Sequence, residues 1–175
     1  MIQIRNASLA FGSQTLFDEL SCTINKKDRI GLVGCNGSGK STLLRVILGL
    51  QSIDNGTVQK VGDPTIGYMP QEITLASKKS ILDEAVSNCH FDEMNELAIK
   101  AEAKKILMGL GFSIKQFEQP VSSLSVGWKM RILLTKLLLQ KADFYFFDEP
   151  INHLDLIAKE WFLDFLKDAA FGFVL

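Results

Sequence analysis

The chain is poor in cysteine and histidine, carries almost no surplus charge and has no long apolar run. Its 175 residues include three cysteines, Cys22, Cys35 and Cys89. An odd count excludes a complete set of internal disulfides, and the spacings fit no zinc pattern. Reduced thiols in a cytoplasmic protein are the simplest reading. The formal net charge of -1 gives no overall pull toward nucleic acid or an anionic membrane, and direct DNA binding is not expected. No apolar stretch approaches the roughly 20 residues that span a bilayer. The N-terminus, MIQIRNASLAFG, lacks the apolar core of a signal peptide. If the protein serves a membrane, a partner makes the insertion. No internal repeat or low-complexity tract is visible.

What remains is an ordinary globular composition, 47% apolar and 22% charged, in a length that suits one domain over residues 1–175. Ile2 to Leu9 reads as a strand with Ile2 and Ile4 on one face. Arg29 to Val33 is a short apolar run suited to a buried strand. It leads into a glycine-rich turn, and Ser41 to Leu48 then reads as a helix with Gly49 near its C-cap. Short strands are expected at 56–58 and 66–69. Residues from about Ser80 to Leu110 have helical texture that Gly111 ends, and Pro120 with its neighbouring serines marks a loop. A helix is expected from about Trp128 to Gln140, an aromatic strand over Phe144 to Phe147, a helix over Leu156 to Lys167 and a strand opening at Phe171. Strands alternating with helices predict an α/β fold with a largely parallel sheet. The helical stretch, about 76–140, reads as an inserted subdomain.

Residues 34 to 41 read Gly-Cys-Asn-Gly-Ser-Gly-Lys-Ser. This is the phosphate-binding pattern G-x-x-x-x-G-K-[ST] between a predicted strand and a predicted helix. Each residue type has a physical reason. Gly34, Gly37 and Gly39 let backbone amides surround phosphate oxygens, with Cys35, Asn36 and Ser38 supplying the rest of the loop. The helix that follows turns its positive end toward the same anions. Lys40 brings a mobile charge to the β- and γ-phosphates, and the Ser41 hydroxyl is a hard oxygen ligand for Mg²⁺. The alternative is a glycine-rich turn that binds nothing, which the flanking strand and helix argue against.

The aromatic strand ends in Asp148-Glu149. In phosphate-loop enzymes a strand-end aspartate holds the magnesium, the place of Asp148. Glu149 is then the candidate to polarise the attacking water as general base. By itself the pair reads equally well as an acidic turn, and the phosphate loop tips the balance.

Four separate motifs resemble one known family, the ABC-type ATPases. They are the phosphate loop, Tyr68-Met69-Pro70-Gln71-Glu72, Ser123-Leu124-Ser125-Val126-Gly127-Trp128-Lys129-Met130-Arg131, and Asp148-Glu149-Pro150-Ile151-Asn152-His153-Leu154-Asp155. The third is similar to the ABC signature L-S-G-G-Q, and closer to the L-S-G-G-W-[KR]-M-R of the ABC-F group, soluble proteins with two ABC domains. The fourth is similar to that group's D-E-P-T-N-H-L-D. The resemblance implies a phosphate-loop (RecA-like) core with an N-terminal antiparallel β subdomain and an inserted helical subdomain. It implies ATP and Mg²⁺ as cofactors, with Thr42 beside Ser41 in the nucleotide site and Gln71 contacting the metal or the lytic water. It also implies a second ABC domain as partner, facing this one over two nucleotides, so that Ser125 and Gly127 act on the partner's γ-phosphate and Asp155 touches the facing domain. Adenine would stack on an aromatic residue before the phosphate loop; Phe11 fits best and Phe17 competes.

The chain departs from the family at three places. Val126 stands where the signature has its first glycine, and a β-branched residue there blocks close approach of phosphate. Ile151 replaces a threonine. The family's switch histidine follows the next strand, where this sequence stops; of the two histidines, His153 belongs to the fourth motif and His90 to the helical region, where a surface role is expected. Only 54 positions separate Gln71 from Ser125, little room for the arm with which many ABC-F proteins reach the ribosome. Three functions remain in play. The first is one half of an ABC-F ATPase acting on ribosomes or translation. The second is the ATP-binding subunit of a membrane transporter, and the third is a module that binds ATP with little turnover.

Overall fold

The computed structural model describes residues 1–72, 75–89 and 95–175, and the chain divides into two units. The expectation for His90 lies outside the described residues.

The first unit comprises Met1–Tyr68, Ala142–Asp148 and Ala170–Leu175. Strands β1 (Ile2–Phe11) and β2 (Gln14–Ile24) form an antiparallel hairpin, and β4 (Asn55–Lys60) pairs with the other edge of β1. Side-chain parity explains the shape of β1. Ile2 and Ile4 point inward, then Ala7 and Leu9 do, so the buried set changes from even to odd positions. The switch falls where both pairings of β1 lose register and where Asn6 takes a left-handed φ of 47°. One extra residue in a strand turns every later side chain to the opposite face.

The second sheet of this unit has the order β3-β7-β6-β5, from Arg29–Ile30, Gly172–Val174, Phe144–Phe147 and Ile66–Met69. Its β3–β7 and β7–β6 pairs are parallel, the arrangement expected from alternating strands and helices. All four residues of β6 are buried, as a strand covered on both faces requires. Helix α1 (Lys40–Leu48) buries Leu44, Val46 and Ile47 and ends at Gly49. Ile2, Ile4, Ile24, Leu44, Ile47, Phe144, Phe146 and Val174 share one core, so α1 and both sheets are fixed together. The strand expected over 29–33 is shorter. Strand β3 itself ends at Ile30, the Leu32 amide still donates to the Leu175 carbonyl at 2.8 Å, and Val33, 94% exposed, is where the chain leaves the sheet to form the loop before α1.

The second unit comprises Met69–Lys141 and Glu149–Ala169. It contains α2 (Ile81–Val86), α3 (Glu96–Gly109), α4 (Val126–Leu138) and α5 (Leu156–Lys167), with single 3₁₀ turns at Ile114–Gln116, Val121–Ser123 and Pro150–His153. Ser80 caps α2 by accepting from the Asp83 amide, and Asp155 caps α5 by accepting from the Ala158 amide. Among the described residues, the helical texture over 80–110 is carried by α2 and α3. A buried ion pair, Lys136 Nζ to Glu84 Oε1 at 2.7 Å, ties α4 to α2. Burial pushes the Glu84 carboxyl up, but the Lys136 ammonium and the Ser77 hydroxyl outweigh it and hold the group below its ordinary range. Helix α4 begins at Val126, two residues ahead of the expected start. Valine and glycine are weak helix formers; a glycine suits position 127 because a Cβ there would lie 3.2 Å from the His153 carbonyl oxygen. Among the described residues no helix is long and apolar enough to cross a membrane.

Candidate nucleotide site

In the first unit, residues 34–38 form an exposed loop whose turn is closed by the Ser38 amide donating to the Cys35 carbonyl at 3.2 Å. Two glycines leave room that a side chain would fill. A Cβ on Gly34 would sit 2.6 Å from Ser38 Oγ. Gly39, the N-cap of α1, has φ 93°, and a Cβ there would meet the Phe17 ring at 3.2 Å. No side chain caps α1, and the first-turn amides of such a helix are suited to an anion. Lys40 Nζ folds over the loop and donates to the carbonyls of Gly34 at 2.9 Å and Cys35 at 3.1 Å. The Cys35 thiol is exposed, whereas burial pushes the Cys22 and Cys89 thiols up.

At the second residue of α1, Ser41 Oγ donates to Asp148 Oδ1 at 3.0 Å. Asp148 closes β6 and is only 3% exposed. Its second oxygen, Oδ2, is buried with no hydrogen-bond partner, a costly state for a carboxylate. This donor set fits magnesium. The ion takes hard oxygen ligands, keeps several waters and binds through one or two carboxylates plus nucleotide phosphates. Among the described residues no group of three or more His, Cys, Asp or Glu makes a metal cage, so the remaining ligands would come from water and phosphate. Nearby, burial and the Asp148 carboxylate push the Tyr68 phenol up while Arg45 pulls it down.

Phe11 lies at the end of β1, 52% exposed, and its ring is available for stacking. Phe17 is half-buried against Gly39, where it supports the loop.

In the second unit, Glu149 heads the 3₁₀ turn Pro150–His153 in a left-handed conformation, φ 53° and ψ 46°. A non-glycine residue held there costs on the order of 1–3 kcal/mol, and such strain clusters at functional sites. Its Oε2 accepts from two amides, Gln71 Nε2 at 3.0 Å and Asn152 Nδ2 at 2.8 Å. Gln71 and Glu149, 78 positions apart in sequence, are thus brought together. Asn152 enters the sequence reading only as part of the fourth motif; the local signal for its contact is its position three residues after Glu149 in a turn.

At the start of α4, Ser125 is the exposed N-cap without a side-chain bond, and Val126 follows it, 58% exposed. Further along α4, Arg131 is buried at 5%. Its guanidinium stacks on Trp128 at 4.2 Å, donates to the Leu110 carbonyl and pairs with Asp155 Oδ2, both at 2.8 Å. The amide of Ala158 and the Arg131 guanidinium hold the Asp155 carboxyl below its ordinary value. The sequence marked Trp128 and Arg131 only as parts of a motif, although their three-residue spacing on a helix already places them side by side.

The ABC transporter family model matches residues 17–152. The uncharacterized ABC transporter ATP-binding protein YfmR of Bacillus subtilis is 33% identical over 202 residues, covering 95% of this chain and 32% of its own length. The ribosome protection protein VmlR of the same organism is 32% identical over 159 residues, 91% of this chain and 28% of that protein. The chain therefore spans about a third of the length of these relatives. Among solved structures, an ATP-binding subunit of an ABC transporter superposes with a TM-score of 0.79 at 18% identity, over 99% of this chain and 78% of that one. That likeness establishes the shared fold.

Proposed function

Because the chain belongs to the ABC transporter family of ATP-binding domains, we propose that it binds Mg-ATP through residues 34–42 and Asp148, and hydrolyses it to ADP and phosphate when paired with a second ABC domain. The observation that carries this is the Ser41–Asp148 hydrogen bond, with the second Asp148 oxygen buried and unsatisfied. The loop amides and Lys40 take the phosphates, and Ser41 and Asp148 take the ion, whose chemistry is to neutralise phosphate charge. Glu149 accepts a proton from the attacking water, oriented by Gln71. Phe11 stacks on the adenine. Ser125 and Gly127 serve the nucleotide of the facing domain, with Val126 weakening that service. Residues 1–175 act as one ABC domain with the helical subdomain at about 76–140.

Isothermal titration of the purified chain with Mg-ATP tests the reading. Saturable heat and a raised Tm are expected; neither heat nor stabilisation would remove the proposal.

At the level of the cell we propose one half of an ABC-F ATPase in the cytoplasm, acting on the ribosome. The Trp128-Lys129-Met130-Arg131 and Asn152-His153-Leu154-Asp155 stretches support it, as does similarity to a protein named for ribosome protection. The second reading, a transporter's ATP-binding subunit, draws on the fold shared with one. Sedimentation of the tagged protein with ribosomes, reversed by high salt, favours the first. Recovery in the membrane fraction favours the second.

A further inference from the structure

Two polar side-chain atoms of the first unit, the Tyr68 hydroxyl and Asp148 Oδ2, are buried and have no hydrogen-bond partner. They belong to one neighbourhood. Tyr68 lies in β5, the strand beside β6 in the sheet, and Asp148 follows β6 directly. The carbonyl of Thr65 accepts from the Phe144 amide at 3.2 Å, which anchors β5 against β6. The Asp148 carboxylate acts electrostatically on the phenol, and the Arg45 guanidinium is near enough to its oxygen to act as a donor as well as a charge, so what lacks an acceptor is the phenol's own O–H. Arg45 is one turn past Ser41 on α1, on the same helical face, and Ser41 is already bonded to Asp148 Oδ1. Strand adjacency, helix spacing and the Ser41–Asp148 bond therefore place the four residues in one neighbourhood. A buried polar group left unsatisfied costs about 1–3 kcal/mol, and two in one place call for a common partner.

We propose that Tyr68 is a positioning residue of the metal site: its hydroxyl completes, through one shared water, the hydrogen bonding of Asp148 Oδ2 when Mg-ATP is bound, and so fixes the carboxylate that faces the ion. This rests on the reading of residues 34–42 and Asp148 as the Mg-ATP site. A phenol suits the task. It is a neutral donor, so it orients the carboxylate without cancelling the negative charge that the ion needs, as a lysine or arginine in its place would. Groups one bond behind a metal ligand set its orientation, and their loss weakens metal affinity by about 10- to 100-fold.

Tyr68→Phe tests it, with three readouts: Tm without nucleotide, ATP affinity in EDTA, and ATP affinity with Mg²⁺. Removing a hydroxyl whose proton has no acceptor should leave the unliganded Tm close to that of the parent protein. ATP affinity in EDTA should be unchanged, while the tightening that Mg²⁺ produces should shrink by about tenfold. Full retention of that tightening overturns the proposal. So does an equal loss with and without Mg²⁺, which marks a packing role. A lowered unliganded Tm, or failure to fold, also overturns it, since the hydroxyl would then be satisfied before any ligand arrives. In those three cases the ATP-site reading stands; if the parent protein binds no ATP in either buffer, both fall together.

Discussion

Glu149 is held twice, by a left-handed backbone and by two amides on one carboxylate oxygen. Two donors on Oε2 restrict the carboxylate to one orientation, the requirement for a group that must meet a water at a set position. Glu149→Gln keeps an oxygen that accepts from the same two amides and removes the basic one. Mg-ATP affinity should be unchanged, and single-turnover hydrolysis should fall by about 10²-fold or more, the usual share of a general base. Undiminished hydrolysis in rapid-quench assays would exclude Glu149 as the base. Lys40→Ala acts on the other side of the chemistry. Its ammonium contacts two loop carbonyls, but its charge is what the phosphates need. The variant should fold with nearly the parent Tm and show no further rise with Mg-ATP in a thermal-shift assay.

Elements are pinned by single carboxylates at their ends. Asp143, just before β6, accepts from Lys26 at 2.7 Å and from the amide and hydroxyl of Thr65, just before β5. The Lys26 ammonium, then the Thr65 donors, push its carboxyl down from 3.8 to about 2. A value depressed in the folded state means stability that is complete above the unfolded value of 3.8 and lost as pH falls toward about 2. Asp143→Asn should therefore melt below the parent at pH 7, with the gap closing across that acid window in Tm measured against pH. Asp155 caps α5 and pairs with buried Arg131. Asp155→Ala should cost about 1–2 kcal/mol in urea unfolding, mostly the lost cap, since the carboxylate is largely solvated. Elements of this kind divide by how local their cause is. The loop at 34–41, α1 with Gly49, β5, β6 and α5 were legible because turn glycines, apolar runs and caps sit within a few residues. Strand β2 was passed over although Leu20, Cys22 and Ile24 alternate with polar residues, because its pairing lies across the hairpin. The site was legible as motifs; the Gln71–Glu149 and Arg131–Asp155 contacts were not, because they arise only when segments far apart in sequence meet.

For the whole molecule, the open matter is whether one chain completes a catalytic site by itself. Residues 34–42 belong to the first unit and the start of α4 to the second. The family resemblance assigns that start, Ser125 to Gly127, to a nucleotide held by another domain. Its exposure suits such a role: Ser125 carries no capping bond and Val126 is 58% exposed, which leaves a helix N-terminus facing solvent that can meet an anion. On that assignment, residues 1–175 taken alone are expected to hydrolyse ATP only when two copies face each other, so turnover per copy should rise with concentration until pairing saturates, while Mg-ATP binding should not depend on it. Val126→Gly lets the helix end approach the phosphate more closely and should raise turnover at a fixed concentration without altering affinity. Phosphate release measured over a hundredfold range of protein decides the matter. A constant rate per chain would mean that a single chain supplies every group the reaction needs, and that α4 has another task.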